Sequence, residues 1–459
     1  MSSSIIHTSS QNPMLSTSAA FIVLLSALLG WIWGNRQRNR HRRRISKDPA
    51  ICHQIIAGKA QNHEHPNTLS PHEARGIPNA HIRIAFGIDN AFTRTDRIQA
   101  SKFVNKIKPL INLSPQDWIG VSQFAIATTN HWINHGFDSF HQDNRSGRIR
   151  LNITSLAQIL SLKVMLWLMF NLKDQRHIQD ESLLNLAQSI NRVWISSKLS
   201  SANNICRFED DKNLQTSLFD IFGKHDTPED NPLNLILPSF ETTWRVVLRA
   251  FLELRFATGT KNPLWRETMI AFAQQPSKEM FERRLASSIS KSDSESHRKT
   301  DPNELVGAVS AEDIVCEALR LYVPTRRVRR AYRSSGMEVY EIRSADIEGC
   351  HLRSDIWGSK AEEFDPRRWC SSTAGQRACY MPFGRAPFEC PAKPNFGPRM
   401  IGVLVGSLLG GLEGDGLGDW SLECDDMDVV ERIGGGGRLC PHRNAYAKVF
   451  LVQTASGGL

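Results

Sequence analysis

One uninterrupted apolar stretch limits what this chain of 459 residues can fold into. Residues 15–34 carry no charge, and about 20 such residues are what a single helix needs to cross a bilayer. Trp31 and Trp33 lie at its far end, where aromatic rings prefer the membrane interface. No second stretch of the sequence is comparably apolar, so a protein with several membrane spans is excluded.

A strongly basic segment follows directly. Residues 35–47 hold six arginines and one lysine without an acid, so most of the net charge of +9 lies there. A nucleic-acid-binding body is therefore not indicated, and nucleic acid is not expected as a partner. Because positive flanks stay cytoplasmic, the body is expected in the cytosol. A cleaved signal peptide would instead carry its positive charge before the apolar core. The predicted order is a short lumenal tail (1–14), a transmembrane anchor (15–34), a basic flank and linker (35–80) and one large domain (81–459).

The rest of the chain has the composition of a globular protein. It is 41% hydrophobic, which allows a sizeable core. Nine cysteines, an odd number with no C-x-x-C, disfavour both a disulfide scaffold and a structural zinc ribbon. Apolar residues recur at helical spacing from about residue 97, whereas short segments rich in Gly, Pro and Asp follow Tyr332. The predicted fold class is mainly α with a smaller β portion in the final third (α+β).

The first pattern near the carboxyl end is Glu317-Ala318-Leu319-Arg320. Ser310 and Asp313 form an N-terminal capping signature, and Pro324 ends the helix. Glu and Arg three residues apart lie on one helical face and can pair. Taken alone, an exposed ion pair is an equally good interpretation.

The second pattern is the aromatic, arginine-containing segment from Phe364 to Trp369. One of its arginines could join the Glu317–Arg320 pair, because a buried carboxylate between two guanidiniums is satisfied by bidentate hydrogen bonds.

The third pattern is a Gly/Pro-rich loop, Met381 to Ala392, that holds Cys390 ahead of a predicted helix. A helix N-terminus carries partial positive charge, which favours the thiolate form that binds metals. A thiolate can be the axial ligand of haem iron. The alternative is a buried structural thiol.

In their order and spacing, these three patterns resemble the cytochrome P450 family, in the form found in fungal secondary metabolism. The resemblance implies the P450 fold behind an N-terminal transmembrane helix, with residues 81–459 as a haem-thiolate catalytic domain. Glu317 and Arg320 match one family motif, and Arg368 would complete a buried structural triad with them. Phe383 and Cys390 match the haem-binding loop, so Cys390 is expected to ligate the iron of haem b.

The resemblance also directs attention upstream, to Glu241-Thr242 within a predicted helix. Family members carry an acid–threonine pair there, which implies catalytic roles for both residues in delivering protons during oxygen activation. Pro238 lacks an N–H and is expected to open the helix just before this pair. Without the other motifs, Glu241-Thr242 would be an ordinary polar helix face.

The haem loop departs from the family pattern at three positions. Ala386 and Ala392 replace glycines, and Phe388 stands where a propionate-binding Arg or His is usual. Arg327 or Arg329, and also Arg385, could supply the missing charge, with Arg329 favoured. His131 and His135 could contact the other propionate, bind zinc, or simply lie on a helix face.

The function implied by the resemblance is that of a haem-thiolate monooxygenase. It would insert one oxygen atom of O₂ into a lipophilic small molecule, with electrons from an NADPH-dependent flavoprotein reductase. Its expected location is the endoplasmic reticulum membrane, single-pass, with the catalytic domain in the cytosol. Two alternatives remain: a reductase-independent haem-thiolate isomerase or peroxygenase, and a degenerate anchored haem-binding protein without turnover.

Overall fold

The computed structural model describes residues 26, 30, 45–59, 67–135, 150–175, 178–199, 205–225, 227–284, 308–336, 340–413 and 420–453. The chain divides into two units, Met1–Ser46 and Lys47–Leu459. In the first unit, Ser26 and Gly30 are helical and a two-residue strand, β1, spans Ile45–Ser46. The predicted lumenal tail and, apart from those two residues, the predicted anchor lie outside the described residues.

The second unit begins with helices where the sequence analysis predicted a linker. Helices α1 (Pro49–Ala57), α2 (Pro71–Gly76) and α3 (Ala80–Phe86) occupy this region. The Asp48 side chain caps α1, whose Cys52, Ile55 and Ile56 are buried. The linker prediction over 35–80 and the domain start at 81 were therefore wrong for these segments. Helices of this length show too few apolar repeats to be recognised in a sequence.

Helices form most of the second unit, and the longer ones surround one core. In chain order they are α4 (Arg97–Ile111), α5 (Pro115–His135), α6 (Ile153–Phe170), α7 (Asp180–Leu199), α8 (Lys212–Phe222), α9 (Leu233–Phe256), α10 (Pro263–Gln274), α11 (Lys278–Glu282), α12 (Ala311–Leu321), α13 (Ile347–His351), α14 (Ser354–Trp357), α15 (Ala374–Cys379), α16 (Phe396–Leu412) and α17 (Met427–Gly434).

The β portion is small. Strands β3 (Arg327–Tyr332) and β4 (Glu341–Asp346) pair antiparallel, with Arg327 opposite Asp346. A separate antiparallel sheet has the order β2 (Arg150–Asn152), β6 (Phe450–Gln453) and β5 (Trp420–Glu423). The predicted class, mainly α with a smaller β portion, is confirmed, although β2 lies well before the final third of the chain.

Helices α9 and α16 cross the core; α9 carries Glu241 and Thr242, and α16 follows the loop that holds Cys390. Helix α16 packs on α5, α9 and α10. Gly406 permits this close approach, since a Cβ at that position would collide with the Met269 carbonyl of α10. Helix α6 is apolar and long enough to cross a membrane by composition, but 78% of it is buried inside the protein, as in a core helix.

Helix α9 continues through Pro238 instead of opening there. Proline cannot donate to the carbonyl of Asn234 four residues earlier. The side-chain amide of Asn90 donates to that carbonyl at 3.4 Å, so a neighbouring segment replaces the missing hydrogen bond. The predicted opening was wrong because a partner distant in sequence satisfies the backbone.

Candidate functional site

Glu317 and Arg320 lie on one face of α12 and are fully buried. The guanidinium donates twice to the carboxylate, from Nε to Oε2 at 2.9 Å and from Nη2 to Oε1 at 2.8 Å. Ser310 and Asp313 form the expected capping box at the start of this helix. The pair is therefore an internal bidentate contact, not the exposed ion pair that the spacing alone also allowed.

Arg368 and Trp369 reach the same carboxylate from the 3₁₀ helix Pro366–Ser371. Arg368 Nε donates to Glu317 Oε1 at 2.8 Å, and the Trp369 indole N–H donates to Oε2 at 3.1 Å. The backbone N–H of Asp365 also donates to Oε1. Both oxygens of the buried carboxylate thus accept more than one hydrogen bond, as a buried charge requires.

This network extends to the cysteine loop through His351. Arg320 Nη1 donates to the His351 carbonyl at 2.8 Å. The backbone N–H of Met381, at the start of the loop, donates to His351 Nε2 at 2.9 Å. Burial lowers the pKa of His351 to about 3, so the ring is neutral and keeps that acceptor. The Glu317 network therefore supports the backbone that leads to Cys390.

Cys390 lies in a tight loop closed by backbone hydrogen bonds. Its backbone N–H donates to the Phe383 carbonyl at 2.9 Å, and its carbonyl accepts from the backbone N–H of Lys393 at 3.1 Å. Gly384 has a φ of +70°, which favours glycine. Helix α16 starts only at Phe396, and burial raises the pKa of the Cys390 thiol. Burial therefore opposes the stabilisation of the thiolate that the sequence analysis expected from the helix N-terminus.

Two buried arginines that the sequence analysis missed surround Phe388. The Arg75 guanidinium lies 4.0 Å from the ring centre and that of Arg330 lies 5.1 Å away. Arg75 and Arg330 are 8% and 5% exposed, and no carboxylate of the described residues forms an ion pair with either. Arg75 Nε has no hydrogen-bond partner among them. Phe388 replaces a residue that is usually charged. Arg75 of α2 and Arg330 of β3 supply positive charge beside that position instead.

The sequence analysis predicted other arginines as partners of the propionates. Arg327 is half exposed and lies 3.8 Å from Asp346, in a surface cavity of about 460 Å³ that also contains Glu348 and Arg438. Arg329 is exposed, on the face of β3 opposite Arg330, because successive residues of a strand alternate. Arg385 donates to backbone carbonyls of residues 377, 378 and 380. Contact of Arg327 or Arg329 with a propionate remains a prediction.

Glu241 and Thr242 lie midway along α9 but point in different directions. Glu241 is 2% exposed and forms an ion pair with Arg443. The Thr242 hydroxyl donates to the Pro238 carbonyl at 3.0 Å. Thr242 belongs to a half-exposed face of the helix with Pro238 and Ser239. Because its proton is committed to the backbone, Thr242 Oγ1 can accept a hydrogen bond from that face.

His131 and His135 stack with ring centres 5.0 Å apart on α5, and His135 Nδ1 bonds to the His131 carbonyl. Within the described ranges, no group of three or more His, Cys, Asp or Glu side chains could hold a metal ion.

Comparisons with known proteins found two relatives that match a short part of the chain. No family model matches the chain. A Caenorhabditis elegans protein described as a cytochrome P450, CYP13A1, is 35% identical over 89 residues, 17% of this chain and 17% of that protein. A second from the same species, cyp-13B1, is 28% identical over 88 residues, 17% of this chain and 16% of that protein. These matches support the cytochrome P450 family. They cover only a small part of the relatives' length.

Among solved structures, the haem domain of a cytochrome P450DA mutant is similar over 83% of this chain and 80% of that chain. The TM-score is 0.44 and the sequence identity is 14%.

The cysteine loop fits the haem of a cytochrome P450. Cys390 offers one soft sulfur donor on a loop that its own backbone hydrogen bonds hold in place. Arg75 and Arg330 offer two buried guanidiniums beside the loop, and the Nε of Arg75 is unsatisfied among the described residues. Carboxylates such as the propionates of haem are natural partners for such groups.

Proposed function

We propose that this chain is a haem-thiolate monooxygenase of the cytochrome P450 type. The observation that carries the proposal is the continuous contact from Glu317 through Arg320 and His351 to Met381, which supports the Cys390 loop. The P450-like relatives match part of the chain and agree with this assignment. The proposed reaction inserts one oxygen atom of O₂ into a lipophilic small molecule.

Haem bound at this loop would supply the redox chemistry of oxygen activation. Cys390 would bind the iron through its sulfur, and Arg75 and Arg330 would hold the haem carboxylates. The hydroxyl hydrogen of Thr242 is donated to the Pro238 carbonyl. Thr242 Oγ1 would therefore accept a hydrogen bond from a proton donor on the half-exposed face of α9. The Glu241 carboxylate, held by Arg443, is the adjacent proton-exchanging group on the same helix.

The wider setting completes the proposal. An NADPH-dependent flavoprotein reductase supplies electrons, and residues 15–34 anchor the chain in the endoplasmic reticulum membrane with the catalytic domain in the cytosol. The apolar stretch and its basic flank support this placement. A role in fungal secondary-metabolite biosynthesis rests on the sequence resemblance alone.

The test is the absorption spectrum of the reduced, CO-bound protein. We expect a strongly red-shifted Soret band in the wild type that is lost in Cys390→Ser. Cys424→Ser, a matched change of another half-buried cysteine, should keep the band. A wild type without haem, or with haem lacking that band, would refute the proposal and favour the degenerate-protein alternative.

A further inference from the structure

Three cationic side chains from separate parts of the fold interact with the charge of Glu241, and a fourth interacts with one of the three. They are Lys198 at the end of α7, Arg245 on α9, Arg329 on β3, and Arg443 in the segment between α17 and β6. Arg443 forms the ion pair with Glu241. Burial, together with the charges of Arg443, Arg245 and Arg329, lowers the pKa of Lys198 to about 8. We name these four residues the cation cluster.

The cation cluster carries more positive charge than its surroundings balance. In the part of the chain that the structure describes, Glu241 is the acid whose charge acts on Lys198, Arg245 and Arg443. Three cations therefore share one carboxylate, and Arg329 adds a further positive charge near Lys198. Like charges held together away from water are costly unless an anion joins them.

Arg245 shows that cost most clearly. Burial lowers its pKa to about 9, with further contributions from the charges of Arg443 and Arg249. Its Nη1 donates to the Pro324 carbonyl at 2.9 Å, but its Nε has no partner among the described residues. A buried guanidinium with an unused donor near Lys198 and Arg443 is the arrangement expected of an anion site.

An aromatic surface adjoins the cations. Lys198 Nζ lies 4.6 Å from the centre of the Trp194 ring, and Arg443 Cζ lies 4.9 Å from it. Lys198 is exposed to solvent, and burial is the largest cause of its lowered pKa. Cations beside a partly exposed aromatic ring suit a ligand with both an anionic group and an apolar body.

The cation cluster is distinct from the arginines at the cysteine loop. Arg329 and Arg330 are neighbours on β3 and point to opposite faces of the strand. Arg330 faces Phe388 and Arg75, whereas the charge of Arg329 acts on Lys198 and His81. The carboxylates of haem and the anion of a second ligand would thus have separate guanidiniums.

We propose that the cation cluster binds the carboxylate of an amphiphilic organic acid. The further step, that this acid is the class of substrate oxygenated, rests on the proposed function and narrows its lipophilic substrate. The placement supports that step because Glu241, which pairs with Arg443 of the cluster, directly precedes Thr242 on α9.

The test compares octanoate with octanol by calorimetric titration of the full-length holoprotein. We expect octanoate to bind more tightly than octanol, and Lys198→Met to weaken octanoate binding about tenfold, the loss of roughly one charged contact. Binding of octanol should not change. Lys198 is exposed, so its replacement should leave the fold intact, and Lys198→Arg should retain the affinity. Lys102→Met, an equally exposed lysine on α4, is the matched control.

Three results would overturn the proposal: no binding of octanoate, equal binding of octanol, or equal effects of Lys198→Met and Lys102→Met. The CO-difference spectrum of the same samples separates the two ideas. Lys198-dependent binding of octanoate in a protein without the haem-thiolate band would keep the anion site and refute the monooxygenase. A protein that shows the haem-thiolate band but no Lys198-dependent binding of octanoate would keep the monooxygenase and refute the anion site.

Discussion

Arg368 Nε donates to Glu317 Oε1 at 2.8 Å, joining the 3₁₀ helix Pro366–Ser371 to α12 across 51 residues of sequence. The carboxylate is fully buried and Arg368 is 12% exposed. A buried ion pair adds little net stability when formed, but removing one partner leaves the other charge unpaired. The contact is therefore a point at which a single substitution should be severe.

Glu317→Gln is expected to lower the free energy of unfolding by about 3 to 5 kcal/mol, because Arg320 would keep a buried charge without its counterion. Denaturant unfolding measures this directly. Glu282→Gln, which breaks an exposed pair with Lys278, should cost under about 1 kcal/mol. Similar losses for the two variants would contradict the internal role of Glu317.

Arg75→Leu is expected to weaken retention of haem about tenfold, or about 1.4 kcal/mol, because one of two guanidiniums beside the loop is removed. Transfer of haem to an excess of a competing apoprotein gives the rate of loss. Arg97→Leu removes an exposed arginine on α4 and serves as the control. Equal rates in the two variants would show that Arg75 does not face the haem carboxylates.

Contacts set by local spacing could be predicted from the sequence, whereas contacts set by tertiary packing could not. The pairing of Glu317 with Arg320 follows from their three-residue spacing on one helix. The approach of Arg75 to Phe388 joins segments far apart in sequence, and no periodicity marks it. Burial of the Cys390 thiol, which opposes the expected effect of the helix N-terminus, is likewise a property of tertiary packing.

The same contrast applies to the fold. Long amphipathic patterns predicted the helical body. The change after Tyr332 to short segments rich in Gly, Pro and Asp predicted most of the β portion. The short helices Pro49–Ala57 and Pro71–Gly76 depend on side-chain caps and on tertiary contacts with β3 and β4. Short helices gain most of their stability from such packing, so their own sequence predicts them poorly.

Thr242→Ala should disturb proton delivery, whereas Thr243→Ala should not. Both hydroxyls donate to carbonyls one turn earlier in α9, so the two changes have similar local effects on the helix. With NADPH and a flavoprotein reductase, we expect hydrogen peroxide released per NADPH consumed to rise several-fold in Thr242→Ala only. The physical reason is loss of the acceptor at Thr242 Oγ1. Equal peroxide yields would remove Thr242 from the catalytic assignment.

Glu253, near the end of α9, should make stability depend on pH in the neutral range. Burial raises its pKa to about 7 from 4.5, and Tyr322 donates to its carboxyl group. The unfolded chain loses this proton first, so the contribution to stability is complete below pH 4.5 and falls as the pH rises to about 7. The total loss is about 3 kcal/mol.

Urea unfolding of wild type and Glu253→Gln at about pH 5 and about pH 8 measures this contribution. Between these pH values, the free energy of unfolding of wild type should fall by about 2 to 3 kcal/mol relative to that of the variant. The reason is that only wild type must ionise a buried acid or keep it protonated. Glu279→Gln, at an exposed carboxyl on α11, should leave the wild-type pH dependence unchanged. If Glu253→Gln also leaves it unchanged, the carboxyl must already be ionised at low pH, and its contact with Tyr322 would then be charge-assisted.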